Sequence, residues 1–256
     1  MHLLRLNKSN MLPLSMGILV FILWQTKVIH ALLRLEVYQL PIPSAIWSSI
    51  LENHKTLGEF AKYTGTEAIL GFLIGSLLGM LVAVSAVYVP KMAKGGLTVV
   101  AALNAVPIVA LAPIMNNWFG DGMGSRIGVV AVLTMATMAI NAYKGLSSID
   151  PSYLELMHAS AATKGQTFIK LRVMHALPHI FTALKINMAT SISGSIVGEF
   201  FISSKGIGYL LSDQIKLSNM PLSWACIVYA AAGGILLYYV IELLERLFIP
   251  WHVSRH

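Results

Sequence analysis

Three stretches of this chain, residues 68–89, 97–120 and 217–241, contain no Asp, Glu, Lys or Arg over 22 residues or more. A helix rises about 1.5 Å per residue, so each is long enough to cross the ~30 Å hydrocarbon core of a bilayer. Short polar connections separate them. That alternation is the pattern of a polytopic helical membrane protein.

Composition supports the same reading. Only 11% of the 256 residues are charged and 56% are apolar, with a mean hydropathy of +0.72. A soluble surface needs roughly a quarter to a third of its residues charged. The formal charge of +7 could suggest nucleic acid, but Lys and Arg lie mostly in short connections, with no basic and aromatic face. The single cysteine, Cys226, excludes an internal disulfide and a cysteine-based zinc site.

Three further blocks complete the count. Residues 12–33 form a 22-residue apolar run with Lys27 and His30 near its end, read as a first crossing. A signal peptide with Arg5 and Lys8 as its basic region is the alternative, but no small-residue cleavage site is evident and further spans follow. Residues 127–143 are short for a crossing, and residues 173–198 are interrupted by Lys185. The expectation is an all-α polytopic membrane protein with six spans and both termini on one side. With cytoplasmic termini, the inner segments hold Arg5, Lys8, Lys91, Lys94, Lys144, Lys164, Lys170, Arg172, Arg246 and Arg255. The outer ones hold only Arg34, Lys55, Lys62, Arg126, Lys205 and Lys216, so the bias favours that orientation. Between the first two spans, Pro41 and Pro43 break any helix. From Trp47 to Lys62, mixed apolar and charged residues suit a surface helix or a solvated connector.

The connection between the fourth and fifth spans is too polar to cross. Asp150 can cap a helix and Pro151 suits its first position, so a helix is expected over 151–162, about 12 residues and 18 Å. Thr163-Lys164-Gly165 then reads as a turn. Tyr153, Leu156, Met157 and Ser160 share one face, which suits either a groove in another protein or the membrane interface.

From Glu155 to Leu177-Pro178 this connection (Glu-Leu-Met-His-Ala-Ser-Ala-Ala-Thr-Lys-Gly at its start) resembles the cytoplasmic loop of ATP-binding-cassette importer permeases. It looks closest to the group serving nitrate, sulfonates, taurine and small heterocyclic nutrients. The resemblance extends to Ala105 through Pro113, Trp118-Phe119-Gly120, Asn141 through Gly145, Val197 through Phe200 and Gly206 through Leu210. It implies a type I importer transmembrane fold, one permease domain over 1–256 with a coupling region at 150–165, and a homodimer. It further implies two separate ATP-binding subunits, an extracytoplasmic substrate-binding protein and a multi-pass place in the bacterial inner membrane. Tyr153, Glu155, Leu156, Met157, Ser160 and Ala161 would dock on the ATPase. Two departures stand out, Ala161 at a usual glycine and Met174 at a common proline, and together they suggest a more helical loop. The chain has no G-x-x-x-x-G-K-[ST] sequence, so ATP and Mg are expected on the partner and no catalysis on this chain.

Polar residues at membrane depth are costly against lipid and are candidates for the pathway or its gate. They are Asn104, Asn116, Asn117, Thr137, Asn141, Asn187, Ser191, Ser193 and Ser195. Each is equally able to bond neighbouring helices. Glu199 would close or brace the outer gate, with Lys205 as a natural partner; Lys185 could attract an anion or pair with a carboxylate, but the preferred reading is that it snorkels inward. Pro107 and Pro113 should bend the third span. Small residues at Gly71, Gly75, Gly79, Ser191 and Ser195 permit close contact within the chain or between copies. His158, His175 and His179 read as a polar helix entrance. An ion-coupled transporter is the alternative, although the long uncharged spans offer it no ionisable group. An intramembrane enzyme using Asp121, Glu199 or the histidines is another.

Overall fold

A computed structural model describes residues 8–250, all helical or connecting chain. In order these are α1 (Lys8–Gln25), α2 (Val28–Leu33), α3 (Pro43–Glu52), α4 (His54–Tyr88), α5 (Pro90–Asn104), α6 (Ile108–Phe119) and α7 (Met123–Ser147). There follow α8 (Pro151–Ala159), α9 (Lys164–Thr167), a π-helical turn (Phe168–Val173), α10 (Met174–Ile202), α11 (Ile207–Lys216) and α12 (Met220–Phe248).

The centre of the bundle is α4 packed lengthwise on α7, with α10 closing the third side. Between helices in lipid there is little hydrophobic drive, so close packing and polar bonds must hold them. The sequence supplies the packing as a glycine every fourth residue. A Cβ at Gly71 would meet Val130, one at Gly75 the Thr134 hydroxyl and the Ala131 carbonyl, and one at Gly79 the Met135 carbonyl. These small residues therefore serve the interior of one chain. Ser191 and Ser195 do likewise, both fully buried within the bundle.

Four helical runs are long and apolar enough to cross: His54–Tyr88, Met123–Ser147, Lys164–Ile202 and Met220–Phe248. The third apolar block breaks between Asn104 and Ile108, where its two arms meet at 104°. Pro107 sits at that break as the residue before α6, while Pro113 is accommodated inside it. The bend expected at proline thus becomes a corner, and the pair counts as one span or a re-entrant loop. Among the described residues, four or five candidate spans meet the length and composition needed, against the six expected.

The helix of the first block, α1, ends at Gln25. Lys27 turns left-handed at φ 63°. Side-chain bonds then pin the chain into a return: Trp24 Nε1 donates to the Pro41 carbonyl at 3.0 Å, Gln25 Nε2 to Ser44 Oγ at 2.9 Å, and His30 Nε2 pairs with the Leu40 carbonyl at 2.6 Å. Arg5 and Arg255, two of the residues that set the orientation, lie outside the described residues.

The stretch from Trp47 is not one surface helix. Pro43 opens α3, Asn53 ends it, and the remainder is the first part of α4. There Leu57 is buried with Ile46, Ile207, Leu210, Leu222 and Cys226, so α3, α4, α11 and α12 share a small core at one end of the bundle.

Candidate coupling helix and buried polar sites

At the other end, α8 forms largely from local instructions. Asp150 Oδ1 accepts from Ser152 N at 2.9 Å and from Ser152 Oγ at 2.6 Å, which satisfies the first turn, and Pro151 needs no amide bond there. The Ser152 hydroxyl, then its amide, hold the Asp150 carboxyl below the usual carboxylate range. The helix ends at Ala159, three residues before the sequence suggests. Ala161 is left-handed at φ 53°, its amide bonding the His158 carbonyl at 2.9 Å while the Ala162 amide reaches the Met157 carbonyl at 3.0 Å. That is a Schellman stop, the site where glycine is ordinarily found. Alanine here does not lengthen the helix. It adopts the turn at a conformational cost. At Met174, by contrast, helix runs on without interruption from Lys164 to Ile202.

No residue of α8 is buried. Tyr153 is 55% exposed and Leu156 60%, with Glu155 and Ser160 exposed beside them and Met157 half-buried. Leu154 and His158 point the other way, lining a cavity of about 320 Å³ with Val87, Tyr88, Phe168 and Arg172. The flanking helices are firmly joined. Arg172 Nη1 donates to the Leu146 carbonyl at 2.8 Å and His175 Nδ1 pairs with the Gly145 carbonyl at 2.9 Å, using groups that α7 leaves open at its end. Gly145 lets α10 approach closely, since a Cβ there would lie 2.9 Å from Ala176 Cα. Across that cavity α8 faces the end of α4 and the π-helical turn that leads into α10.

The membrane-depth candidates divide into two groups. Asn187, Ser191, Ser195 and Glu199 recur every four residues along α10, and all are fully buried against the bundle. Asn187 Nδ2 donates to Ser76 Oγ at 3.1 Å and to the Thr134 carbonyl at 2.9 Å, tying α10 to α4 and α7. Ser191 bonds back to the Met188 carbonyl. The other group is open or partly open. Asn104 and Asn117 are exposed on the two arms of the α5–α6 corner, and Ser193 is exposed on α10. Asn116 bonds Asp121 at 2.6 Å, and Asn141, near the half-buried Thr137, bonds the Thr137 carbonyl at 2.9 Å. Ser193 borders a largely apolar groove of about 670 Å³ between α10, α11 and α12.

Three expectations for charged residues are corrected. Lys185 does not snorkel freely but pairs with Glu245 of α12 at 2.8 Å. Glu199 does not pair with Lys205, whose ammonium lies 5.8 Å from the Tyr63 ring centre. Its Oε2 instead accepts from Thr64 Oγ1 at 2.9 Å and from the Gly208 amide at 2.8 Å. Arg126, taken from the sequence as a connecting residue, is 1% exposed and bonds Glu67 at 2.6 Å. Ionisable groups are therefore present inside the bundle. Sequence reasoning missed Tyr63, Thr64, Glu67 and Arg126 as a site. The available signal was that Glu67, Arg126 and Glu199 border apolar runs on the same side and carry opposite charges. Among the described residues, no cluster of His, Cys, Asp or Glu could hold a metal.

A family profile, binding-protein-dependent transport system inner membrane component, matches residues 75–250. The formylaminopyrimidine transport permease protein of Halalkalibacterium halodurans is 29% identical over 241 residues, covering 93% of this chain and 95% of that one. The riboflavin transport system permease protein of Chloroflexus aurantiacus is 33% identical over 156 residues, 61% of this chain and 58% of its own. Among solved structures, a bacterial ABC transporter involved in the import of the acidic polysaccharide alginate shares the fold, with a TM-score of 0.62 at 16% identity over 94% of this chain and 97% of that one.

Proposed function

The chain belongs to the family of binding-protein-dependent transport system inner membrane components, and on that footing we propose that it is the permease of an ATP-driven importer whose α8 carries motion from a separate ATPase. Two copies would form the pathway at their interface, each receiving one ATPase subunit, with an extracytoplasmic binding protein delivering the cargo. The named relatives transport a pyrimidine and a flavin. They support a small heterocyclic nutrient, or an organic anion of similar size, as cargo. We read α1 as the sixth crossing, with both termini in the cytoplasm and residues 150–165 as the coupling region.

The observation that carries this reading is a capped helix with no buried residue and an exposed Tyr153–Leu156 ridge. Leaving such apolar area in water is costly unless a partner covers it. ATP binding would draw the two ATPases together and move α8. Through Leu154, and through the bonds of Arg172 and His175, that motion would reach α4, α7 and α10 and turn the bundle outward. Hydrolysis would reverse it. Of the pathway candidates, Asn104 and Asn117 at the α5–α6 corner and Ser193 at the α10–α12 groove are accessible to cargo. Asn187 fastens α10 to α4 and α7, while Ser191 and Ser195 are small residues buried along the same seam.

Co-purification with the ATPase, and uptake in proteoliposomes holding the binding protein, test the reading. Leu156→Asp and Tyr153→Ala should abolish both while the unfolding temperature stays within a degree or two of wild type. Unchanged ATPase binding in both variants would refute the docking role. Uptake driven by an ion gradient with no ATPase present would refute the importer.

A further inference from the structure

Three charged side chains are buried together at the end of the bundle opposite α8, and their charges do not cancel. Glu67 of α4 and Glu199 of α10 are fully buried and Arg126 of α7 is 1% exposed. Arg126 Nε donates to Glu67 Oε1 at 2.6 Å, and its Nη2 to the Tyr63 hydroxyl at 3.1 Å. Thr64 lies one turn before Glu67 on the same face of α4, and its bond to Glu199 Oε2 brings the second carboxyl against the first. A Cβ at Gly198, the residue before Glu199, would lie 3.3 Å from Arg126 Cγ, so α7 and α10 meet closely at the same level. Among the described residues, Glu67 Oε2, Glu199 Oε1 and Arg126 Nη1 find no hydrogen-bond partner.

An ionised carboxylate only accepts, so these two oxygens could satisfy each other only with a proton between them. Charge counting calls for that proton. Two carboxylates and one guanidinium leave a net negative charge in a medium where an unpaired charge is very costly, and one proton removes it. The other groups that face the site do not supply the missing charge. Tyr63 contributes only its hydroxyl, Lys205 is exposed, and α11 offers only the backbone amides of Ile207 and Gly208.

The Glu199 carboxyl is also what holds α11 down. It accepts from the Gly208 amide, while Thr64 Oγ1, which donates to it, accepts from the Ile207 amide at 2.8 Å. Gly206 turns at φ 94°, and a Cβ there would overlap the carboxyl, so the turn lies directly upon it. We propose that Glu67 and Glu199 bind a single shared proton, and that this proton latches α11 to α4, α7 and α10 on the face opposite the coupling helix. The assignment does not depend on the importer reading. The docked arrangement holds the proton more tightly than one in which α11 has swung into water, so docking is complete at low pH and weakens as pH rises.

The test uses the full chain in lipid nanodiscs. At neutral pH its infrared spectrum should contain the carbonyl stretch of a protonated carboxyl in a dry site, lost in Glu67→Gln and in Glu199→Gln. Hydrogen exchange at the amides of 207–211, corrected for intrinsic base catalysis, should lose protection as the solution is made alkaline, by at most about tenfold per pH unit for one linked proton. In Glu67→Gln, where Arg126 and Glu199 balance, protection should persist and its pH dependence vanish. A wild-type spectrum without the band overturns the proposal, and this measurement stands even if the variants do not fold. Wild-type protection that ignores pH, or a Glu67→Gln variant titrating like wild type, overturns it as well.

Discussion

The two ends of this bundle are built on opposite terms. At one end α8 owes its shape to Asp150, Pro151 and the turn at Ala161, all within a dozen residues of sequence, and it buries nothing. At the other, Tyr63, Thr64, Glu67, Arg126, Glu199 and the α11 amides come from distant parts of the chain and are tied to one another out of water. A helix held by its own caps can be carried as a unit and still present a free face. A bracket of crossed bonds cannot shift without losing several at once. The first suits a part that meets a partner, the second a part that must hold or release.

The sharpest way to break this contrast is to remove one partner at each end. Arg126→Ala strands Glu67 and leaves two carboxyls in a dry site, with an expected loss of about 3–5 kcal/mol of stability in thermal or denaturant unfolding in detergent. Glu155→Ala at the other end should leave that unfolding unchanged while weakening ATPase association. If the two variants unfolded alike, the ends would not differ as described.

The seam between them gives the next largest effect. A methyl group at Gly75 would collide with the Thr134 hydroxyl and with the Ala131 carbonyl, which is backbone and cannot rotate aside. Gly75→Ala should therefore cost roughly 1–3 kcal/mol. Gly65→Ala, where the added carbon meets nothing within 4 Å, is the matched control in the same helix. Equal stability of the two variants would mean that α4 and α7 are not in contact along this line.

What could be read in advance follows the same division. The α8 cap was legible because Asp150-Pro151 acts on the next two residues, and no distant neighbour is needed to satisfy it. The α5–α6 break was legible as a bend, because Pro107 removes a hydrogen bond wherever it sits, but its 104° angle depends on packing against α7. The bracket was not legible. Glu67 and Arg126 each flank an uncharged run, the usual place of a residue reaching for the interface, and only the pairing of α4 with α7 turns both inward. The end of the first block was hidden for the same reason, because the bonds from Trp24, Gln25 and His30 to residues 40–44 turn back a run that composition alone would extend.

A smaller effect is expected at Ala161. A left-handed alanine costs about 1–2 kcal/mol relative to its ordinary conformation, part of which glycine returns through its freer unfolded chain. Ala161→Gly should thus tighten the stop by roughly 0.5–1 kcal/mol, read as a two- to fivefold gain in exchange protection at Ala161 and Ala162. Unchanged protection would mean that the turn carries no such cost.

The smallest effect separates the two ends by the sign of their pH response. Because the Ser152 bonds hold the Asp150 carboxyl below its ordinary range, the cap's contribution is fully present above the unfolded value and is lost as pH falls through the folded one. Exchange protection in the first turn of α8, corrected for intrinsic rates, should decline in acid. In Asp150→Asn, which keeps an acceptor oxygen but no titrating group, it should not. The α11 latch should respond in the other direction, weakening in alkali. A single sample should therefore be loose near Ser152 at the acid extreme and near Ile207 at the alkaline one, and loosening of both at the same extreme would deny that the two ends are stabilised by different chemistry.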